Sequence, residues 1–160
     1  MAALTQVARS MPYSTGGNLS NLRPEARADL MRIGLRSGHA VGVYQTTEGA
    51  HNDPRHNGTS ANHPEWNSAS LSGLGVDVNQ IDGVDIGSYA NANPEAAGLV
   101  ESVKNAAESV SGVRTVLGPS GHTKSNQYGG ARTGRSFSGS LKDQHQSHFH
   151  ITFYRATERN

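Results

Sequence analysis

Apolar positions divide the chain into two helical and four extended segments, separated by long polar stretches. Ala26, Leu30, Ile33 and Leu35 follow Pro24 as a partial apolar stripe along one side of a helix, and Gly38 ends it. Ser20 or Asn21 is placed to cap it. Residues 40–47 alternate as a strand, and residues 74–80 predict a second, with Val76 and Val78 on one face and Gly75, Asp77 and Asn79 on the other. Asn93 and Pro94 open a helix that runs to about residue 111, with Leu99, Val103, Ala106, Ala107 and Val110 inward and Gly112 as its end. Residues 113–117 read as a short strand. Residues 148–154 read as the last, with Phe149, Ile151 and Phe153 on one face and His148, His150, Thr152 and Tyr154 on the other.

Between these elements lie two stretches, 48–72 and 118–144, rich in Gly, Ser, Asn and His and too long for ordinary connections in a compact domain. The expected fold is α+β, a small antiparallel sheet with flanking helices and long loops forming a cleft. Residues 1–20 read as an irregular N-terminal arm and 21–160 as one domain.

Composition narrows the chemistry. Hydrophobic residues are 34% of the 160 positions and glycine takes 19, which predicts a modest core and much irregular chain. Lys and Arg number 14 against 13 Asp and Glu, without a basic run, so nucleic acid is not an expected partner. Without cysteine, a metal would be held by His and carboxylate. No apolar run of the roughly 18 residues that suggest a membrane span occurs, and residues 1–17 lack the apolar centre of a signal peptide.

Two histidines one residue apart on a strand, His148 and His150, place two imidazoles on one face of a rigid element. Such a pair can supply metal ligands, or one ligand and a base. A lone His-x-His is as often structural, and Asp77 alone would more often make local hydrogen bonds. Their order along the chain changes the balance. The run from Ser68 to Gly83, with Asp77 at its centre, resembles the S-x-H-x-x-G-x-A-x-D-I signature of D-Ala-D-Ala carboxypeptidases and related murein peptidases. A strand ending in Thr46-Thr47-Glu48-Gly49-Ala50-His51 precedes it. The close, His145, His148, His150 and a hydrophobic residue, resembles the ending of those proteins and of penicillin-insensitive murein endopeptidases, and Gly118-Pro119 stands between the two motifs.

This resemblance to the zinc peptidases of murein spans roughly residues 38–154. It implies Zn2+ held by Asp77 and His150, with His148 as base or transition-state hydrogen-bond partner and His145 orienting a neighbour or binding substrate. Position 70, where the family has a histidine ligand, holds Ser70, and a neutral hydroxyl is a poor zinc ligand. Three explanations stand: an introduced change that silences a toxic hydrolase, a natural pseudoenzyme that still binds peptidoglycan, or a loop histidine, His63 before His51 or His56, taking the place of the ligand. The implied substrate is a peptidoglycan stem peptide with D-amino acids, which His51 and Arg132 would contact. Arg135 and Lys142 could meet a stem carboxylate or simply be solvated. The implied place of action is the periplasm or the extracellular cell wall, reached through a phage or secretion apparatus, with an immunity or delivery protein as a further partner. The alternative is a catalytically inactive peptidoglycan-binding module, and a structural tip protein is a third class that gives no reason for the motif order. The metal reading requires Asp77 and His150 on neighbouring strands with side chains converging within roughly 8 Å, since joint ligation brings both to about 2 Å from one ion.

Overall fold

A computed structural model describes residues 8–46, 73–87, 94–119, 121–125, 132–133 and 146–159. Two helices, α1 (Pro24–Ser37) and α2 (Pro94–Ser109), pack against each other and against a sheet of eight strands. The strands are β1 (Tyr13–Ser14), β2 (Val41–Thr46), β3 (Gly75–Ile81), β4 (Val84–Asp85), β5 (Val113–Gly118), β6 (Gly121–Ser125), β7 (Arg132–Thr133) and β8 (Phe149–Phe153). Their order is β1-β2-β3-β8-β5-β6-β7, with β4 paired to β3. All pairings are antiparallel except β1 with β2, so the sheet is mixed by one short edge strand. The α+β class is the expected one.

One core forms where the helices cover a single sheet face. Val41 and Val43, Val76 and Val78, Val113 and Val116, and Phe149, Ile151 and Phe153 meet Leu30 and Ile33 of α1 and Val103 and Ala107 of α2. Period-2 alternation in the strands and the 3.6-residue period in the helices bring these side chains together. Gly118 permits the closest approach within the sheet: a Cβ there would stand 2.3 Å from the Phe149 ring.

Several local details differ from the sequence reading. α1 begins after Arg23 with no side-chain cap; Ser20 and Asn21, the expected caps, lie instead within a 3-10 turn at Leu19–Asn21 that Asn18 caps. Leu35 is 39% exposed; the inward side of that turn is Gly34, where α1 touches the Ser10 carbonyl. In α2 the buried position is Val100 rather than Leu99. Part of the expected arm, Tyr13–Ser14, pairs with β2, and part of the expected 118–144 loop forms β6 and β7. The hairpin from β3 to β4 turns at Asp82 and Gly83, both with positive φ (52° and 83°), the conformation that an Asp-Gly pair favours. Residues 47–72, 126–131 and 134–145 lie outside the described residues, so the rest of the two expected loops is not placed.

Candidate functional site

The sheet face away from the helices carries the polar residues. Register aligns Gln45 of β2, Asp77 of β3, His150 of β8 and Leu117 of β5 in one row across four strands. The next row places Gly75, Thr152 and Thr115 together. Because each strand commits its alternate residues to the core, the residues between them must share this second face.

Asp77 and His150 therefore sit directly opposite one another, and their side chains meet: His150 Nδ1 lies 2.7 Å from Asp77 Oδ1. Both are deeply buried, His150 at 0% and Asp77 at 4% exposure. An ionised carboxylate only accepts, so Nδ1–H donates and the lone pair of a neutral imidazole falls on Nε2. Leu117 packs beside the pair outside the main core, and Thr115 and Thr152 are buried along the same face. Among the described residues the buried Thr152 hydroxyl has no hydrogen-bond partner.

Two consecutive irregularities in the β2–β3 ladder shape what lies next to this pair. The register passes from Gly42↔Gln80 to Val43↔Val78 and then to Gln45↔Asp77, leaving Asn79 and then Tyr44 without a ladder partner. Such bulges redirect side chains, and here both extra residues line a cavity of about 430 Å³ together with Asp85, Gly87, Ser147 and His148. The Tyr44 and His148 rings meet edge to face, with centroids 5.9 Å apart. Burial, and after it the charge of Asp77, push the Tyr44 phenol up to about 12, so it remains a protonated donor at neutral pH. Asn79 Oδ1 accepts from the Thr15 hydroxyl at 2.7 Å, which ties the bulge to the N-terminal segment.

Of the residues singled out from sequence, Asp77 and His150 are brought into contact, and His148, just before β8, lines the adjoining cavity. Arg132 begins β7, separated from β8 by β5 and β6. Ser70, His51, His56, His63, Arg135, Lys142 and His145 lie outside the described residues. Sequence reasoning passed over Tyr44, Asn79 and Asp85. The Asp-Gly turn could have revealed the strand that carries Asp85, whereas the bulges leave no mark in the pattern.

A carboxylate and an imidazole are a suitable donor set for zinc. Two ligand atoms on one tetrahedral zinc stand roughly 3.3 Å apart at bond lengths of about 2.0–2.1 Å. At 2.7 Å the Asp77 and His150 atoms are a hydrogen-bonded pair that must part by about half an ångström to share an ion. Among the described residues no third His, Asp or Glu joins them. The same contact also suits a carboxylate that orients an imidazole acting through Nε2. The chain matches no family model, no curated protein and no solved structure.

Proposed function

We propose that this chain is a murein peptidase-type protein that acts on peptidoglycan stem peptides containing D-amino acids. The observation that carries the reading is the buried Asp77–His150 pair on adjacent strands beside a cavity lined by His148. The motif order around Asp77 and His150 adds the substrate class. Asp77 and His150 would hold Zn2+, with position 70 as the third ligand site. When bound, zinc supplies a Lewis acid that polarises a carbonyl and lowers the pKa of water towards about 7.

The chain's own residues have separate tasks. His148 accepts or returns a proton at its imidazole in the cavity wall. Tyr44, held protonated, donates a hydrogen bond to a peptide oxygen. The bulged β2–β3 pair orients a peptide along the open side of the face. No helix among the described residues is long and apolar enough to cross a membrane. Action in the periplasm or extracellular wall, delivery by a phage or secretion apparatus, and pairing with an immunity or delivery protein belong to the same proposal.

A second reading, a peptidoglycan-binding pseudoenzyme, is favoured by the 2.7 Å contact in which Asp77 and His150 satisfy each other, and by the hydroxyl at Ser70. Metal analysis and digestion of purified murein distinguish the two. The chain as it stands should hold little zinc and release few stem peptides. Ser70→His should raise both, and His150→Ala in that background should abolish both. A folded Ser70→His protein that gains neither metal nor activity replaces the peptidase reading with the binding module. Stoichiometric zinc in the unaltered chain would assign the third ligand to another residue, with His63 the first to replace.

A further inference from the structure

The cavity beside the Asp77–His150 pair has a charge imbalance that the peptidase reading does not use. Among its described lining residues, Tyr44, Asn79, Asp85, Gly87, Ser147 and His148, there is one carboxylate and no Lys or Arg. Asp85 Oδ1 accepts from the Gln80 side-chain amide at 3.1 Å, a neutral donor, and no ion pair reaches Asp85 among the described residues. Asp82, three residues away, differs in this respect, because its carboxylate is taken up by His39 at 2.8 Å and by the Ala40 amide at 2.8 Å.

We propose that this cavity is a subsite for a primary ammonium group, which Asp85 pairs while Tyr44, Asn79 and Ser147 surround the aliphatic stem. An ammonium has three donors and no acceptor, and this wall offers a carboxylate, a hydroxyl and a side-chain amide. The Tyr44 ring adds an aromatic surface suited to a cation. A divalent metal would need several hard ligands converging on one point, and no group of three His, Asp or Glu does so among the described residues. On the murein reading, on which only the identity of the carrier rests, the ammonium belongs to the side chain of a diamino acid in the stem peptide. That places the diamino residue next to the reacting bond.

The test titrates the full chain with Nα-acetyl-lysine amide and with Nα-acetyl-norleucine amide, which has the same stem without the charge, following the backbone amide resonances of Gly87 and Ser147. The lysine derivative should shift both saturably, and the norleucine derivative should bind about fivefold more weakly or less, the upper range for a solvent-accessible carboxylate–ammonium pair. Asp85→Asn should reduce lysine-amide binding by about the same factor and leave norleucine-amide binding unchanged. Asp82→Asn, a change of equal charge on the same turn, should leave both unchanged. Equal binding of the two probes, no effect of Asp85→Asn, or an equal effect of Asp82→Asn would overturn the proposal. If lysine amide binds as expected while Ser70→His gains neither zinc nor murein cleavage, the ammonium site stands and its carrier is not a stem peptide. If murein is cleaved and lysine amide does not bind, the subsite alone falls.

Discussion

Tyr44 shows how one side chain takes its properties from position. Its phenol is raised to about 12 by burial first and by the Asp77 charge second, against 10 for an ordinary tyrosine. In the unfolded chain the proton leaves near the ordinary value, so the folded state binds it more tightly and stability from this group is complete below pH 10 and lost as the pH rises towards 12. Tyr44→Phe should therefore lose less stability than the parent protein between those pH values, read as the urea midpoint at each pH. The slope should shrink without vanishing, because Tyr13 and Tyr154 are also raised, each mainly by burial. An unchanged slope would show that Tyr44 ionises as freely in the fold as outside it. Asp77→Asn should move the Tyr44 titration, followed by tyrosinate absorbance, down from about 12 by removing the neighbouring charge.

At the scale of the element, the two helices make opposite use of glycine. Replacing a helical glycine by alanine normally gains about 0.5–1 kcal/mol, because the unfolded chain has less freedom to lose. Gly98 in α2 has nothing within 4 Å of an added Cβ, so Gly98→Ala should be stabilised by about that amount. A Cβ on Gly34 in α1 would stand 2.1 Å from the Ser10 carbonyl oxygen, a backbone atom that cannot swing aside. Gly34→Ala should thus be destabilised despite its better helix propensity, with a lower melting temperature than the parent. Thermal unfolding of both variants checks the contrast, and a rise in both would mean that the segment before β1 yields freely. The strands follow a related rule: the bulges at Tyr44 and Asn79 interrupt pairing on the side of the sheet that faces the cavity while Val43 and Val78 remain in the core.

Across the whole molecule, one buried carboxylate ties the chain end to the helical layer. Asp29 of α1 is 0% exposed and meets Arg32 in its own helix and Arg159 near the end of the chain, whose Nη2 lies 2.6 Å from Oδ2 in charge contact without an aligned hydrogen bond. Arg159 also donates to the Tyr154 carbonyl at 3.0 Å, which links the segment after β8 to the same anchor. Removing one partner of a buried ion pair commonly costs about 3–5 kcal/mol, and the remaining Arg32 reduces that here, so Arg159→Ala should lose about 2 kcal/mol in chemical denaturation. A loss within a few tenths of a kcal/mol of zero would mean that Arg32 alone compensates the carboxylate.

Residue order alone specifies the two helices, the Gly38 stop, the four principal strands and the inward faces of β3 and β8, because these rest on periodicities that neighbouring residues enforce on one another. It also put Asp77 and His150 on faces away from the core, since Val76 and Val78 in one strand and Phe149 and Ile151 in the other leave them no alternative. It did not determine that those two strands are neighbours or that Asp77 and His150 fall opposite each other: strand order and register depend on partners 73 positions apart in the chain. The two-residue strands β1, β4 and β7 escaped because they have too few residues to show a period, and β6 because Gly121–Ser125 holds no apolar residue to alternate. Tertiary structure alone decided the cavity, because its walls are the residues that two bulges displace from the ladder and a hairpin turn brings round, and a bulge is a mismatch between two strands that neither strand's sequence contains.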